Sequence, residues 1–226
     1  MRLVSNLPGT PTTRLIRIAR DGERFDYRAG QAAPVGVDAA HTTPYSIASA
    51  PFETDETGVF EFLVKVDGST RFGAQVLGLE PGTPLVVGPP TGGFGLPPDA
   101  PDHHLLFVAG GTGIAPVRSM LLQAIHIDRR HRPTLLYSAR RPDEFAYVNE
   151  FHALQDAGRL TLVLTLTGDS ADWNYARGRA GRDHLAGLLS HDTLCFVCGP
   201  PSMVTDVPAA LESLGISPAH VRTERW

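Results

Sequence analysis

The feature that most constrains the fold of this chain is an apolar strand that runs into a glycine-rich loop and then a helix. The strand is LLFVAG at 105–110, and the loop continues as GTGIAP at 111–116. Further short apolar segments then alternate with helical patterns, in the order 134–139, 143–156, 161–167, 181–189, 193–199 and 202–213. Alternating strands and helices predict a parallel α/β sheet with right-handed crossovers.

The first hundred residues have a different pattern, in which short β-branched or alternating segments are separated by turn pairs such as Asp21-Gly22. One helix is predicted at 71–79, with Ser69 or Thr70 as its N-cap. The predicted strands lie at 12–20, 33–38, 43–49, 58–66 and 83–89. Many short antiparallel strands with one helix favour a small β-barrel. We therefore expect two domains, an antiparallel β-barrel at 1–100 and an α/β nucleotide-binding domain at 101–226.

Composition argues against several classes of protein. The 20 basic and 24 acidic residues give a net charge of −4, which is no reason to expect a nucleic-acid partner. No apolar run approaches the ~20 residues of a membrane span, and the N-terminus lacks the apolar segment of a secretory signal. The two cysteines, Cys195 and Cys198, cannot build a disulfide framework, so a cytoplasmic location is expected. They stand three apart on a predicted strand and therefore face opposite sides, so no metal site is expected.

The loop at 110–116 has the chemistry of a phosphate-binding site. Glycine allows the backbone to approach a ligand closely, and a helix N-terminus offers unpaired N–H groups and the positive end of its dipole. Pro116 suits the first helical turn, where a missing N–H costs nothing. The loop lacks the Gly-Lys-Ser/Thr of a P-loop NTPase, so we interpret it as a dinucleotide site.

Four segments together resemble the ferredoxin–NAD(P)⁺ reductase superfamily. They are Thr43-Pro44-Tyr45-Ser46-Ile47-Ala48-Ser49, the loop at 110–116, Cys198-Gly199-Pro200 and Glu224-Arg225-Trp226. The resemblance covers nearly the whole chain. It implies an NAD(P)H-dependent flavoprotein reductase, with FAD in the barrel (FMN being the alternative) and NAD(P)H bound by the second domain.

On the barrel side, the resemblance implies that Tyr45 packs on the flavin ring and that Ser46 hydrogen-bonds near flavin N5. Thr43 departs from the family, which usually has an arginine here that pairs with the flavin phosphates. Such a contact is worth about 1.5–3 kcal/mol, so flavin retention is expected to be weaker unless Lys65 or Arg71 compensates. The flavin-binding residues implied on this side are Tyr45, Ser46, Ser49, Lys65, Ser69 and Thr70.

On the nucleotide side, the resemblance places Cys198 close to the nicotinamide and directs Glu224 toward the flavin. Ser46, Cys198 and Glu224 are thus the expected catalytic residues, and Trp226 is expected to cover the flavin until nicotinamide displaces it. An arginine after the second strand, Arg140, can pair with the 2′-phosphate of NADP, which favours NADPH; Arg182 is a second candidate. The other residues implied to bind the nucleotide are Gly111, Thr112, Gly113, Pro116, Gly199 and Pro200.

The function implied is electron transfer from NAD(P)H through FAD to another protein. The chain lacks the four cysteines of a [2Fe–2S] site, so the expected acceptor is a ferredoxin or the iron–sulfur component of an oxygenase. Two alternatives remain open. One is a non-catalytic, reductase-like subunit without flavin, which Thr43 supports, and the other is an electron-transfer subunit of a larger oxidoreductase.

Overall fold

The computed structural model describes residues 1–225, so the expected role of Trp226 lies outside the described residues. Residues 1–100 form six strands and two short helices. Their bounds are β1 Arg2–Thr10, β2 Thr13–Ala19, β3 Ala32–Gly36, β4 Thr43–Ser46, α1 Pro51–Thr57, β5 Val59–Lys65, α2 Arg71–Gln75 and β6 Val86–Val87.

These strands close into a barrel. They form two antiparallel three-stranded sheets, β1-β2-β5 and β4-β3-β6. Bridges between Ile47 and Phe62 and between Arg2 and Pro84 connect the two sheets at both edges. The interior is filled by buried aromatic and β-branched side chains, which include Ile16, Ile18, Val35, Phe60, Val64 and Phe72. The barrel expected from the sequence is therefore confirmed.

Residues 101–225 form a six-stranded sheet in which every neighbouring pair is parallel, in the order β10-β9-β8-β7-β11-β12. The bounds are β7 Leu105–Gly110, α3 Ile114–Ile127, β8 Thr134–Ala139, α4 Val148–Asp156, β9 Thr161–Leu166, β10 Ala176–Arg177, α5 Arg182–Leu185, β11 Leu194–Gly199, α6 Pro201–Ser213 and β12 Val221–Arg225. The parallel α/β sheet is confirmed. None of the helices in residues 1–225 has both the length and the apolar character that a membrane crossing needs.

The two halves share buried apolar surface. Leu63 of β5 belongs to the same buried cluster as Phe107 of β7 and Phe196 of β11. Phe94, from the turn that follows β6, packs edge-on against Phe196 with ring centroids 6.2 Å apart. Apolar burial of this kind fixes the halves relative to each other. We propose the boundary between two domains at residue 100, where the short 3₁₀ turn Ala100–Asp102 precedes β7.

The helical predictions differ from the structure at their ends. The helix expected at 143–156 begins only at Val148, because Tyr147 adopts a left-handed φ of 60°. The helix expected at 181–189 is limited to Arg182–Leu185, and the one at 71–79 changes to a 3₁₀ turn at Val76–Gly78. The N-cap of α2 is Thr70, whose hydroxyl oxygen accepts a hydrogen bond from the Gly73 N–H at 2.9 Å.

Candidate active site

A cleft of about 770 Å³ lies between the barrel and the carboxyl ends of the parallel strands. In open α/β sheets, ligands bind outside these strand ends. The cleft brings together many of the residues expected from the sequence: Tyr45, Ser46, Lys65, Ser69, Thr70, Gly111, Thr112, Arg140, Gly199 and Pro200. The predicted flavin-binding residues and the predicted nucleotide-binding residues thus line the same cleft.

The barrel wall of the cleft contains a buried hydroxyl group without a partner. Ser46, at the end of β4, is 5% exposed, and its Oγ makes no hydrogen bond to any group in residues 1–225. Leaving a buried polar group unpaired costs about 1–3 kcal/mol, so such groups indicate a missing ligand or water. Ser46 also lines the cleft. Ser46 therefore places an unpaired hydroxyl group in the cleft wall, with the oxygen itself buried.

Tyr45 is held rigidly beside Ser46. Its hydroxyl lies 2.6 Å from Thr70 Oγ1, and its ring centroid is 5.8 Å from that of Phe72. Burial raises the pKa of Tyr45, and the hydrogen bond to Thr70 only partly offsets that shift. The phenol stays protonated at neutral pH, so Tyr45 presents a fixed neutral aromatic ring at the barrel wall.

The positive charge of the barrel wall comes from Lys65, at the end of β5. Its Nζ lies 2.5 Å from Asp67 Oδ2, and both residues line the cleft. Hydrogen bonds from Lys65 and Ser69 hold the pKa of Asp67 well below its usual range. Arg71 is exposed and does not line the cleft. Lys65 is thus the cation placed to compensate for Thr43, although Asp67 competes for it.

The phosphate loop packs tightly against the end of β11. A Cβ on Gly113 would lie 2.3 Å from the Cys198 carbonyl oxygen, which leaves no room for any other residue. Gly111 has a φ of 56°, a conformation that favours glycine, and faces open space. The Ile114 N–H, at the start of α3, donates to the Gly111 and Thr112 carbonyl oxygens, so the N–H groups placed for a ligand are those earlier in the loop. This geometry fits a pyrophosphate bound at Gly111 and Thr112, with Gly113 and Pro116 behind the cleft surface.

The two cysteines face opposite sides of the sheet, as predicted. Cys198 packs with the cluster that faces the barrel, whereas Cys195 packs with the cluster beneath α6. Burial raises the pKa of the Cys195 thiol to about 12, so it stays protonated. Cys198 is fully buried and does not itself line the cleft. Cys198 was expected beside the nicotinamide, and the structure places it behind the cleft wall.

Two other expected residues also lie outside the cleft. The Ser49 hydroxyl accepts hydrogen bonds from the Glu61 N–H at 3.1 Å and the Thr54 hydroxyl at 3.0 Å, so it anchors the barrel. Glu224 on β12 pairs in register with Cys198, and its Oε1 lies 3.9 Å from where a Cβ of Gly92 would be. Its side chain therefore faces the barrel turn next to the cleft rather than the cleft itself.

At the sheet end of the cleft, one of the two predicted arginines is present, and an arginine that was not predicted takes the place of the other. Arg140 is exposed and lines the cleft. Arg182 instead donates hydrogen bonds to Ser213 O and Oγ, at 3.1 and 2.8 Å, and lies away from it. Arg179 lines the cleft and was missed, because nothing in the Ala-Arg-Gly-Arg-Ala sequence marks which arginine turns inward.

Known proteins with this arrangement are flavin and nicotinamide enzymes. Residues 107–208 match the family model of the oxidoreductase NAD-binding domain. The chain is 33% identical to ferredoxin–NADP reductase B of Sorangium cellulosum, across 100% of this chain and 96% of that protein. It is 30% identical to the reductase component 2 of a terephthalate 1,2-dioxygenase from Comamonas, across 95% of this chain. It spans only 64% of that relative's length.

Solved structures agree on the fold. A ferredoxin NADP⁺ reductase from Neisseria gonorrhoeae, solved with bound FAD and NADP, superposes with a TM-score of 0.83 at 21% identity. The superposition covers 99% of this chain and 96% of that one. The 33% identity to the Sorangium relative, across 96% of that protein, leads to one conclusion. The chain belongs to the ferredoxin–NAD(P)⁺ reductase superfamily of flavoprotein reductases.

Proposed function

We propose that this protein transfers electrons from NAD(P)H through FAD to a ferredoxin or to the iron–sulfur component of an oxygenase. The observation that carries the proposal is the buried, unpaired Ser46 hydroxyl on a cleft whose opposite wall is the glycine loop. Support for the acceptor class comes from relatives named as a ferredoxin–NADP reductase and a dioxygenase reductase component.

The residues of the barrel wall fit a flavin. Tyr45 supplies a fixed aromatic surface, Ser46 supplies a hydrogen-bonding group, and Lys65 supplies a positive charge for phosphate. Ser69 and Thr70 directly precede α2, whose first backbone N–H groups complete the proposed phosphate contact. FAD is favoured over FMN by the family resemblance alone. When bound, the flavin supplies the conversion between two-electron and one-electron transfer.

The chain's own residues perform the remaining tasks. Gly111 and Thr112 bind the nucleotide pyrophosphate through backbone N–H groups, and this orients the nicotinamide toward the barrel. The Ser46 hydroxyl accepts or donates one hydrogen bond at its Oγ. Cys198 and Glu224, adjacent in register on β11 and β12, lie behind the cleft wall that the nicotinamide would contact and support that wall.

We further propose that Arg140 pairs with the 2′-phosphate of NADPH, with Arg179 as a second cation of the same cleft. Pairing of an arginine with a phosphate is charge-assisted and bidentate. An Arg140→Ala variant is expected to lose affinity for NADPH and keep its affinity for NADH. An equal loss for both nucleotides, or none for either, contradicts this assignment.

Anaerobic titration of the purified protein tests the function. The protein is loaded with FAD or FMN, freed of excess flavin, and titrated with NADH and NADPH while flavin absorbance is followed. We expect a yellow protein that bleaches with one equivalent of nucleotide and then reduces an added [2Fe–2S] ferredoxin. A colourless protein would favour the non-catalytic subunit. A protein that bleaches but reduces no iron–sulfur acceptor would contradict the proposed acceptor class.

A further inference from the structure

Helix α3 connects the two walls of the cleft directly. Its N-terminus carries the glycine loop, and two consecutive residues one turn later grip the barrel backbone. Arg118 Nη1 donates to the Ala48 carbonyl oxygen, and Ser119 Oγ donates to the Ser49 carbonyl oxygen, both at 2.8 Å. Ala48 and Ser49 follow Ser46 after a single intervening residue. One helix therefore carries the glycine loop and also holds the barrel segment that follows Ser46.

The contact is reinforced by a buried ion pair that crosses between the halves. Arg118 is only 7% exposed. It donates to both carboxylate oxygens of Glu53, on α1 of the barrel, at 2.9 and 3.0 Å. A charge this deeply buried is costly unless it is paired on all sides, so the bidentate contact fixes α1 on α3. We call Arg118, Ser119 and Glu53 the interdomain clamp.

A second carboxylate completes the surroundings of Arg118 without crossing between the halves. Glu150 lies on α4, in the same half as α3, and accepts from Arg118 Nε and Nη2 at 2.7 Å each. The guanidinium carbon also lies 4.9 Å from the centroid of the Tyr147 ring. Burial alone would lower the pKa of Arg118, but Glu150 and Glu53 raise it, so Arg118 stays charged.

The connection through α3 from the glycine loop to the barrel wall of the cleft is short and rigid. Arg118 lies five residues after Gly113, which is a rise of about 7.5 Å along a helix. On the other side, Ile47 is fully buried and bridges to Phe62, so the segment from Ser46 to Ser49 cannot shift alone. Electron transfer from a nicotinamide depends steeply on alignment, and a misplacement of about 1 Å can cost about 100-fold in rate.

We infer that Arg118 and Ser119 are positioning residues, which set the distance between the glycine loop and the barrel wall of the cleft. They therefore govern the rate of flavin reduction and not the binding of either cofactor. This inference rests on the proposed function. Glu53 takes part as the barrel's anchor for Arg118. Glu150 supports the charge of Arg118 from its own half and leaves the spacing unaffected.

Glu53→Gln and Glu150→Gln are compared because each removes one negative charge from the same arginine and only the first bond crosses between the halves. Glu53 also accepts a hydrogen bond from the Ala50 N–H at 2.7 Å in the cap of α1, so Arg118→Met, which leaves that cap intact, is the control for an effect of the cap. Arg118→Met removes every bond that Arg118 makes in the clamp and leaves the Ser119 bond in place, whereas Arg118→Lys keeps the charge without the bidentate geometry. In stopped-flow experiments with the FAD-loaded protein, we expect Arg118→Met to slow the limiting rate of flavin reduction about tenfold or more. Glu53→Gln is expected to slow it less, and Arg118→Lys to recover part of the rate. The KM for NAD(P)H should change less than about threefold, since the loop itself is intact.

Hydrogen–deuterium exchange of the full chain without flavin supplies a second measurement. The Ala48 N–H donates to the Glu61 carbonyl oxygen at 2.7 Å, and the Thr54 N–H donates to the Ala50 carbonyl oxygen at 3.1 Å. These amides should exchange faster in Arg118→Met and Glu53→Gln and at the wild-type rate in Glu150→Gln. Because flavin is not needed, this outcome tests the clamp even if wild-type protein is not reduced by NAD(P)H, a result that would reject the proposed function instead.

Two results would overturn the inference. One is a limiting rate in Arg118→Met within about twofold of the wild type. The other is an equal effect of Glu53→Gln and Glu150→Gln on both exchange and reduction, which would mean that the cluster serves stability alone. If Arg118→Met does not fold, the comparison of the two glutamine variants and Ser119→Ala decides between the same outcomes.

Discussion

Gly113→Ala tests the proposed nucleotide loop most sharply, because the expected damage comes from steric overlap alone. The added Cβ would lie 2.3 Å from the carbonyl oxygen and 2.6 Å from the carbonyl carbon of Cys198. Ordinary contacts begin near 3.4 Å, so loop and strand must separate by about 1 Å. The φ of Gly113 is −60°, which alanine adopts readily, so backbone strain does not contribute.

Overlap with backbone atoms cannot be relieved by a rotamer change. We expect a loss of about 1–3 kcal/mol in the free energy of unfolding, as for an overpacked core. Flavin reduction by NAD(P)H should slow about 100-fold, since a shift of about 1 Å in the loop misplaces the nicotinamide. Flavin retention should change much less than the reduction rate, because the added Cβ overlaps Cys198 at the end of β11 and not the barrel wall.

The assays are urea unfolding, flavin absorbance after gel filtration, and stopped-flow reduction. Gly187→Ala is the matched control, because Gly187 has no atom within 4 Å of its added Cβ. It should behave as the wild type in all three assays. Wild-type reduction kinetics in Gly113→Ala would refute the placement of the nucleotide on this loop.

Three further substitutions and one pH experiment extend the test. Ser46→Ala should raise stability slightly by removing an unpaired buried hydroxyl and should slow flavin reduction, as measured by thermal unfolding and stopped flow; unchanged kinetics would exclude a role at the flavin. Asp67→Asn should release Lys65 and tighten flavin binding about two- to fivefold by fluorescence titration, whereas weaker binding would contradict the phosphate assignment. Cys198→Ala should keep flavin binding and slow reduction by NAD(P)H, and an unaltered rate constant removes Cys198 from the mechanism. Burial lowers the pKa of His104, so the unfolded chain binds a proton more readily, and the free energy of unfolding should fall as pH drops below about 6.5. His104→Gln should remove that part of the pH dependence in urea unfolding, and an identical slope would contradict it.

The central strands of the α/β half were well predicted because they are buried on both faces, whereas the short edge strand β10, which is partly exposed, was not predicted. Every residue of the strands at 105–110 and 134–139 is buried, so their limits coincide with continuous apolar runs. Parallel strands covered by helices give this pattern directly. The phosphate loop could be recognised for a related reason, since tight strand–loop–helix packing permits only glycine at Gly113.

Parts of the barrel were not predicted, because their sequence lacks a local signal. β1 was missed because Pro8 and Gly9 lie within it, and the structure accommodates them at a register shift near the hairpin. α1 has only seven residues, and Glu53 acts both in its cap and on Arg118. Isolated helices of this length are marginal, so tertiary contacts decide whether they form.

Among the site residues, too, those marked by a local sequence motif were predicted and those set by long-range contacts were not. Tyr45, Ser46 and Arg140 reach the cleft because short motifs place them at strand ends. The pairing of Arg118 with Glu53 joins residues 65 positions apart, and no local pattern predicts a contact of that kind. The Ser49 hydroxyl was expected at the cofactor, but three neighbouring polar groups of the barrel engage it instead.

A crystal structure of the protein with FAD tests the central claim most directly. The account predicts one flavin in the cleft between barrel and sheet, with a ring atom within about 3.2 Å of Ser46 Oγ and the phosphates beside Lys65. Flavin bound at another surface, or a cleft closed by side chains in crystals grown with excess FAD, would contradict it.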